Sequence, residues 1–186
     1  MVPKGTSPET YDPTPQQLVE LARSKAYFRI GYIGFEQTWT DKLTDNAPHL
    51  QFFDMSQGVD LIYDNTHVHH HAANGKRAPT RHRCGDPHIW NSAVNAQIIA
   101  GNILSALRNI DKGNEDFYLE RYNTLCRKIE HTDSLIRQTL ATPGADHAFM
   151  IYHPALSYFA RDYGLHQISH RSRWQRTVSC TSESLD

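Results

Sequence analysis

Apolar residues along the chain change their period several times, and each change marks an element. Thr14-Pro15 supplies an N-cap and a first helical residue, which predicts a helix through about Arg23. Tyr27 to Tyr32 (YFRIGY) alternates and carries aromatic and β-branched residues, as a strand does. Phe35, Trp39 and Leu43 recur at helical spacing and predict a helix from Phe35 to about Asp45, followed by a short strand from Leu50 to Met55. The order helix, strand, helix, strand predicts an α/β layer with a parallel sheet.

From Tyr63 to Gly85 the period stops, and THVHHHAANGKRAPTRHRC reads as an exposed loop. Asp86-Pro87 has the chemistry of a second N-cap and first helical residue, predicting a helix through Trp90, Val94, Ile98 and Ile99 to about Asn109. Lys112-Gly113-Asn114 breaks it. Glu115 to Leu140 then runs without Gly or Pro, with Phe117, Tyr118, Tyr122, Leu125, Ile129, Leu135, Ile136 and Leu140 near helical spacing. A helix that long bridges two lobes more readily than it packs inside one. After Thr142-Pro143-Gly144 the alternation restarts: strand Ala148–Tyr152, helix Pro154–Tyr163, Gly164 as its cap, and strand His166–Ile168. A second lobe begins there.

Composition narrows the function. With 39% hydrophobic and 21% charged residues and a formal net charge of -1, the chain is neither a disordered acidic chain nor a strongly basic nucleic-acid binder. Lys76, Arg77, Arg81 and Arg83 lack interleaved aromatics and read as loop solvation. No apolar run reaches the roughly 20 residues of a membrane span. Cys84, Cys126 and Cys180 form no spaced pair, so neither a disulfide framework nor a CxxC zinc site is indicated. Histidine is the outlier: of 12 in the chain, six fall between His67 and His88.

Three turn-borne residues are candidate metal ligands. Glu9 precedes the first helix, His88 lies in DPHIW, and His153 lies where a strand hands over to a helix. Such strand-to-helix turns line the ligand crevice of α/β sheets, and two imidazoles with a carboxylate suit Zn²⁺ or Mn²⁺. Each alone also reads as a turn or core residue. The loop group His67, His69, His70, His71 and His82 suits transient capture of Zn²⁺ or Cu²⁺, or else plain solvation.

VPKGTSPETYDPTPQQLVELA, GFEQTWTDKL, the His-rich loop, DPHIW and YHPALSYFARDYGL, in that order, resemble the zinc/manganese ABC-transporter substrate-binding proteins, solute-binding family 9. The resemblance covers residues 2 to 169. It implies an α/β, two-lobe metal-binding architecture joined by a long helix, of which this chain holds most of lobe one and the start of lobe two. The implied boundaries are a partial first lobe over 1–113 with its His-rich loop at 66–85, the joining helix at 114–141, and the start of the second lobe at 142–169. His88 and His153 match the family's histidine ligands. Glu9 stands where the family's P-H-x-Y-x-P-x-P pattern has histidine, and the family's fourth, acidic ligand lies in the second lobe beyond the matched segment. The resemblance further implies Zn²⁺ as cargo (with Mn²⁺ the alternative), membrane permease subunits of an ABC importer as partners, a monomer, no nucleic acid, and a periplasmic or extracytoplasmic site.

Both ends depart from that pattern. Met1 stands directly before the V-P-x-G loop, so the family's signal peptide and first β-α-β stretch are expected to be missing from the sequence as written. HRSRWQRTVSCTSESLD, residues 170–186, has neither period. One permissible coding of it, read one base later, gives Ile-Glu-Ala-Asp-Gly-Lys-Glu-Pro-Ser, which looks like the family's I-E-x-x-G-K-E-P-S run. The tail is therefore expected to be out of frame, and the chain a truncated, frameshifted copy. Two other readings stand beside metal capture: a metal-dependent hydrolase, for which no HExxH is present, and a non-functional fragment.

Overall fold

The computed structural model describes residues 4–6, 11–64 and 84–169. The first α/β unit follows from its capping and core residues. Helix α1 (Pro15–Ala22) opens with a capping box: the Gln17 amide donates to the Thr14 hydroxyl, and the Gln17 side chain accepts from the Thr14 amide. Strand β1 (Ala26–Arg29) pairs in parallel with β2 (Gln51–Asp54), Ala26 opposite Gln51 and Arg29 opposite Asp54, with α2 (Gly34–Asn46) as the crossover. Tyr11, Phe35 and Leu43 form the buried core, with Leu18, Leu21, Tyr27, Ile33, Trp39 and Phe52 packed against it. The Trp39 indole N–H donates to Asp12 at 3.0 Å and ties α2 to the segment before α1.

The turn after β1 is built around an acid. Gly31 takes φ +88°, a left-handed conformation that suits glycine, and its amide donates to Glu36 at 2.6 Å. The Ile30 amide donates to the same buried carboxyl group at 3.0 Å, and the Tyr27 hydroxyl at 3.4 Å. Burial raises the Glu36 carboxyl above its ordinary value, outweighing these hydrogen bonds and the charge of Arg29, which all pull it down.

Two changes from the expected elements concern the middle of the chain. The ends of the expected loop are paired: β3 (Tyr63–Asp64) and β4 (Cys84–Gly85) form a short antiparallel ladder, Tyr63 opposite Gly85. Asp86-Pro87 does not open a helix. The Asp86 carboxylate accepts the amide of His88, a 3₁₀ turn follows at Ile89–Asn91, and Ser92 caps α3 (Ala93–Ile110) by accepting the Asn95 amide at 3.0 Å.

Helix α4 (Glu115–Leu140) has the expected length and packs along α3. Beyond it, β5 (Ala148–Ile151) pairs in parallel with β6 (His166–Ser169). Between them α5 (Ser157–Tyr163) starts three residues later than Pro154 and ends on Gly164 at φ +63°. The second unit is tethered to the first. The Asn91 side chain donates to the Ala155 carbonyl at 2.9 Å, Ser92 donates to Asp162, and Arg161 donates to the Asp60 carbonyl at 2.8 Å. Tyr163 donates to Asp133 of α4 at 2.8 Å beneath the Arg137 guanidinium. The tail at 170–186 lies outside the described residues.

Candidate metal centre

His88 is oriented by what precedes it. The Asp86 amide donates to the Ile62 carbonyl at 2.8 Å, which holds residue 86 at the end of the β3–β4 ladder. The Asp86 Oδ1 atom then accepts twice from His88, from its backbone amide at 3.0 Å and from ring Nδ1 at 2.6 Å. Both side chains are 16% exposed. Burial pushes the Asp86 carboxyl up. The bonds and charge of His88 and a hydrogen bond from Ser157 overcome this and leave it below its ordinary value, so it stays an anion. An anionic acceptor on Nδ1 keeps the proton on that nitrogen and makes Nε2 the nitrogen that offers a lone pair.

His153 arrives from the other unit, in the loop between β5 and α5, where its carbonyl accepts the Ala155 amide at 2.7 Å. Its Nε2 lies 3.0 Å from His88 Nε2, and the two rings meet edge to face with centroids 5.0 Å apart. The Trp90 ring also meets His88 edge to face, with its centroid at 5.5 Å. Two nitrogens bound to one tetrahedral Zn²⁺ at ~2.0–2.1 Å stand about 3.3 Å apart, so the pair is within a few tenths of an ångström of a shared ion's geometry.

The structure thus brings together two of the three residues expected to act as ligands. Glu9 and the loop residues His67, His69, His70, His71 and His82 lie outside the described residues. Among the described residues no group of three or more His, Cys, Asp or Glu side chains is arranged to hold a metal ion. Two residues of the site were not anticipated as such. Asp86 had the look of a helix cap, although an acid two residues before a histidine is a signal for this bond. Tyr158 is fully buried, and burial pushes its hydroxyl up to about 12, which keeps it a donor; it lies inside the YHPALSYFARDYGL motif, which points to His153 and not to this tyrosine.

The family described as zinc-uptake complex component A, periplasmic (ZnuA), matches residues 1–182, past Ser169, where the motif resemblance was expected to stop. The high-affinity zinc uptake system protein ZnuA of Bacillus subtilis is 25% identical over 170 residues, covering 90% of this chain and 52% of that protein. The manganese ABC transporter substrate-binding lipoprotein PsaA of Streptococcus mitis is 27% identical over 172 residues, covering 89% and 52%. A crystal structure of ZnuA superposes with a TM-score of 0.77 at 31% identity, covering 93% of this chain and 61% of that one. A zinc-bound deletion mutant of ZnuA gives 0.74 at 33%, covering 90% and 58%. The chain spans about half the length of the curated relatives it matches. The likeness carries the two-lobe α/β fold with its long helix.

Proposed function

This chain belongs to the periplasmic zinc-uptake component A family, and from that premise we propose that it captures a divalent metal ion, Zn²⁺ before Mn²⁺, for an ABC importer. The observation that carries the proposal is the 3.0 Å approach of two Nε2 atoms, one of them aimed by a carboxylate on its own Nδ1. That is the arrangement of a metal-ligating histidine with its outer-shell partner. Borderline-soft Zn²⁺ suits a pair of imidazoles better than harder Mn²⁺ does, and the zinc-uptake family supports the same order.

In this reading Glu9 is the third ligand, His88 and His153 the first two, and the cluster His67, His69, His70, His71 and His82 an accessory capture loop. The metal is cargo. Its recipient is the membrane permease of the importer, and the chain works as a monomer; its place is the extracytoplasmic side, which the periplasmic and lipoprotein names of its relatives support. Residues 1–113, 114–141 and 142–169 are a partial first lobe, the joining helix and the start of the second lobe. The relatives carry the names of transport proteins, which favours binding over the hydrolase alternative.

Calorimetric titration with Zn²⁺ tests the proposal. The chain should bind about one ion tightly, and His88→Ala combined with His153→Ala should abolish that component. Tight binding that survives in the double variant overturns the ligand assignment.

A further inference from the structure

The register of the β3–β4 ladder, Tyr63 opposite Gly85 and Asp64 opposite Cys84, puts Ile62 opposite Asp86. In a hydrogen-bonded antiparallel pair the two residues exchange both N–H···O=C bonds. Here only one is direct, from the Asp86 amide to the Ile62 carbonyl at 2.8 Å. In the other, the Ile62 amide donates to the Tyr158 hydroxyl at 3.2 Å, and that hydroxyl donates to the Asp86 carbonyl at 2.7 Å. A side chain from the second unit is wedged into a ladder of the first and relays its missing bond.

We propose that Tyr158 is a positioning residue for the metal centre, its inserted hydroxyl fixing the backbone of Asp86 and through it the ring of His88. The inference rests on the reading of His88 as a ligand. The geometry supports it at both ends of the relay. Tyr158 is fully buried, with the Arg161 guanidinium 5.1 Å from the centre of its ring, so the hydroxyl has no freedom to swing away. The Tyr158 hydroxyl reaches the Asp86 carbonyl at 2.7 Å, so α5 holds the backbone of Asp86 directly. The carboxylate of Asp86 holds His88 Nδ1 at 2.6 Å.

Removing the hydroxyl leaves either an unrelayed amide and carbonyl in a buried place or a ladder pair that closes directly. Closing shifts Asp86 toward Ile62 and takes its carboxylate off the line to the imidazole. The hydroxyl also sits at the stem of the segment that carries the loop histidines, so one contact serves both the stem and the ligand.

The test is Tyr158→Phe in the full chain, titrated with Zn²⁺ by calorimetry and with Co²⁺ by visible absorption, beside Tyr163→Phe as control. Tyr163 also ties α5 to the rest of the protein through its hydroxyl, but among the described residues that hydroxyl bonds to Asp133 and not to Asp86, His88 or His153. Titrations run at equal intervals below each variant's thermal midpoint remove the effect of stability. Tyr158→Phe should weaken Zn²⁺ binding about 10- to 100-fold, the range for outer-shell partners, and should alter the Co²⁺ ligand-field bands. Tyr163→Phe should leave both within about twofold of the parent protein, as a half-buried bond made to α4 rather than to Asp86 or His88 should. A Tyr158→Phe protein with unchanged affinity and bands overturns the inference and leaves the metal reading standing. A parent chain that binds neither ion stoichiometrically overturns both. If Tyr158→Phe does not fold, hydrogen exchange of the Ile62 amide in the parent protein decides. Zn²⁺ should slow it although Ile62 bonds to Tyr158 and Asp86 rather than to His88 or His153, and an unchanged rate overturns the inference.

Discussion

The hydroxyl of Ser92 donates to the carboxylate of Asp162, 70 positions along the chain, while accepting the amide of Asn95. One small side chain thus caps the helix that leads away from the candidate metal centre and holds α5 against it. Ser92→Ala should cost about 1–2 kcal/mol for the cap alone. Combined with Asp162→Ala, it should cost less than the sum of the two, since they share one bond. Urea unfolding of the four proteins measures both figures, and strict additivity would show that the tether carries no energy.

Glu9 is the acidic member of the proposed ligand set. Glu9→Gln keeps the size and an oxygen but removes the charge, and it should weaken Zn²⁺ by at least about 10-fold, the floor for outer-shell partners. Competition against a chromophoric chelator reads the change, and an unaltered affinity removes Glu9 from the set.

Deleting residues 67–83 should leave the tight site intact, because the 62–86 pairing and the contacts of Tyr158 hold His88 from outside the deleted segment. Total Zn²⁺ capacity should fall, or acquisition slow, in stopped-flow mixing with a fluorescent zinc indicator. Unchanged capacity and rate would make the segment a solvated linker.

Glu36 provides a pH dependence of the opposite sign to most acids. Its carboxyl is raised in the folded protein, so the folded state holds that proton more tightly than the unfolded chain does. The resulting stability is fully present below the ordinary value of 4.5 and is lost as pH rises through the higher folded value. The thermal midpoint of the parent minus that of Glu36→Gln should therefore fall as pH climbs from 4.5 upward. Asp133, which its Arg137 and Tyr163 hydrogen bonds pull down against its slight burial, contributes with the reverse slope in both proteins and cancels in the difference. A flat or rising difference curve would contradict the assignment of burial as the dominant influence on Glu36.

Much of this fold is legible in local chemistry. Thr14-Pro15 with Gln17 announces α1, the Gly- and Pro-free run announces α4, and Gly164 closes α5, because each effect acts within a few residues. The same chemistry misleads at Asp86-Pro87. An aspartate before proline has the right residues for a helix cap, but the imidazole two positions on is a closer partner for its carboxylate, and Ser92 takes the cap. Strands β3 and β4 are two residues each, too short to show a period, and Tyr158, whose hydroxyl bridges Ile62 and Asp86 beside them, lies 96 positions from Ile62. His88 and His153 are legible one at a time as turn-borne imidazoles. Their meeting is a tertiary fact, 65 positions apart.

The two imidazoles are not held alike. His88 is clamped through Asp86 by the ladder and α5, whereas His153 is exposed and its ring bonds to His88. Parting the two backbones means breaking the Asn91, Ser92, Arg161 and Tyr158 tethers together, the kind of collective event that takes microseconds to milliseconds, whereas an exposed side chain changes rotamer in picoseconds to nanoseconds. The pair works like a vice with one fixed jaw. An ion held there meets a rigid donor that sets its position and a loose one that sets how quickly it leaves, so capture and release need not draw on the same motion.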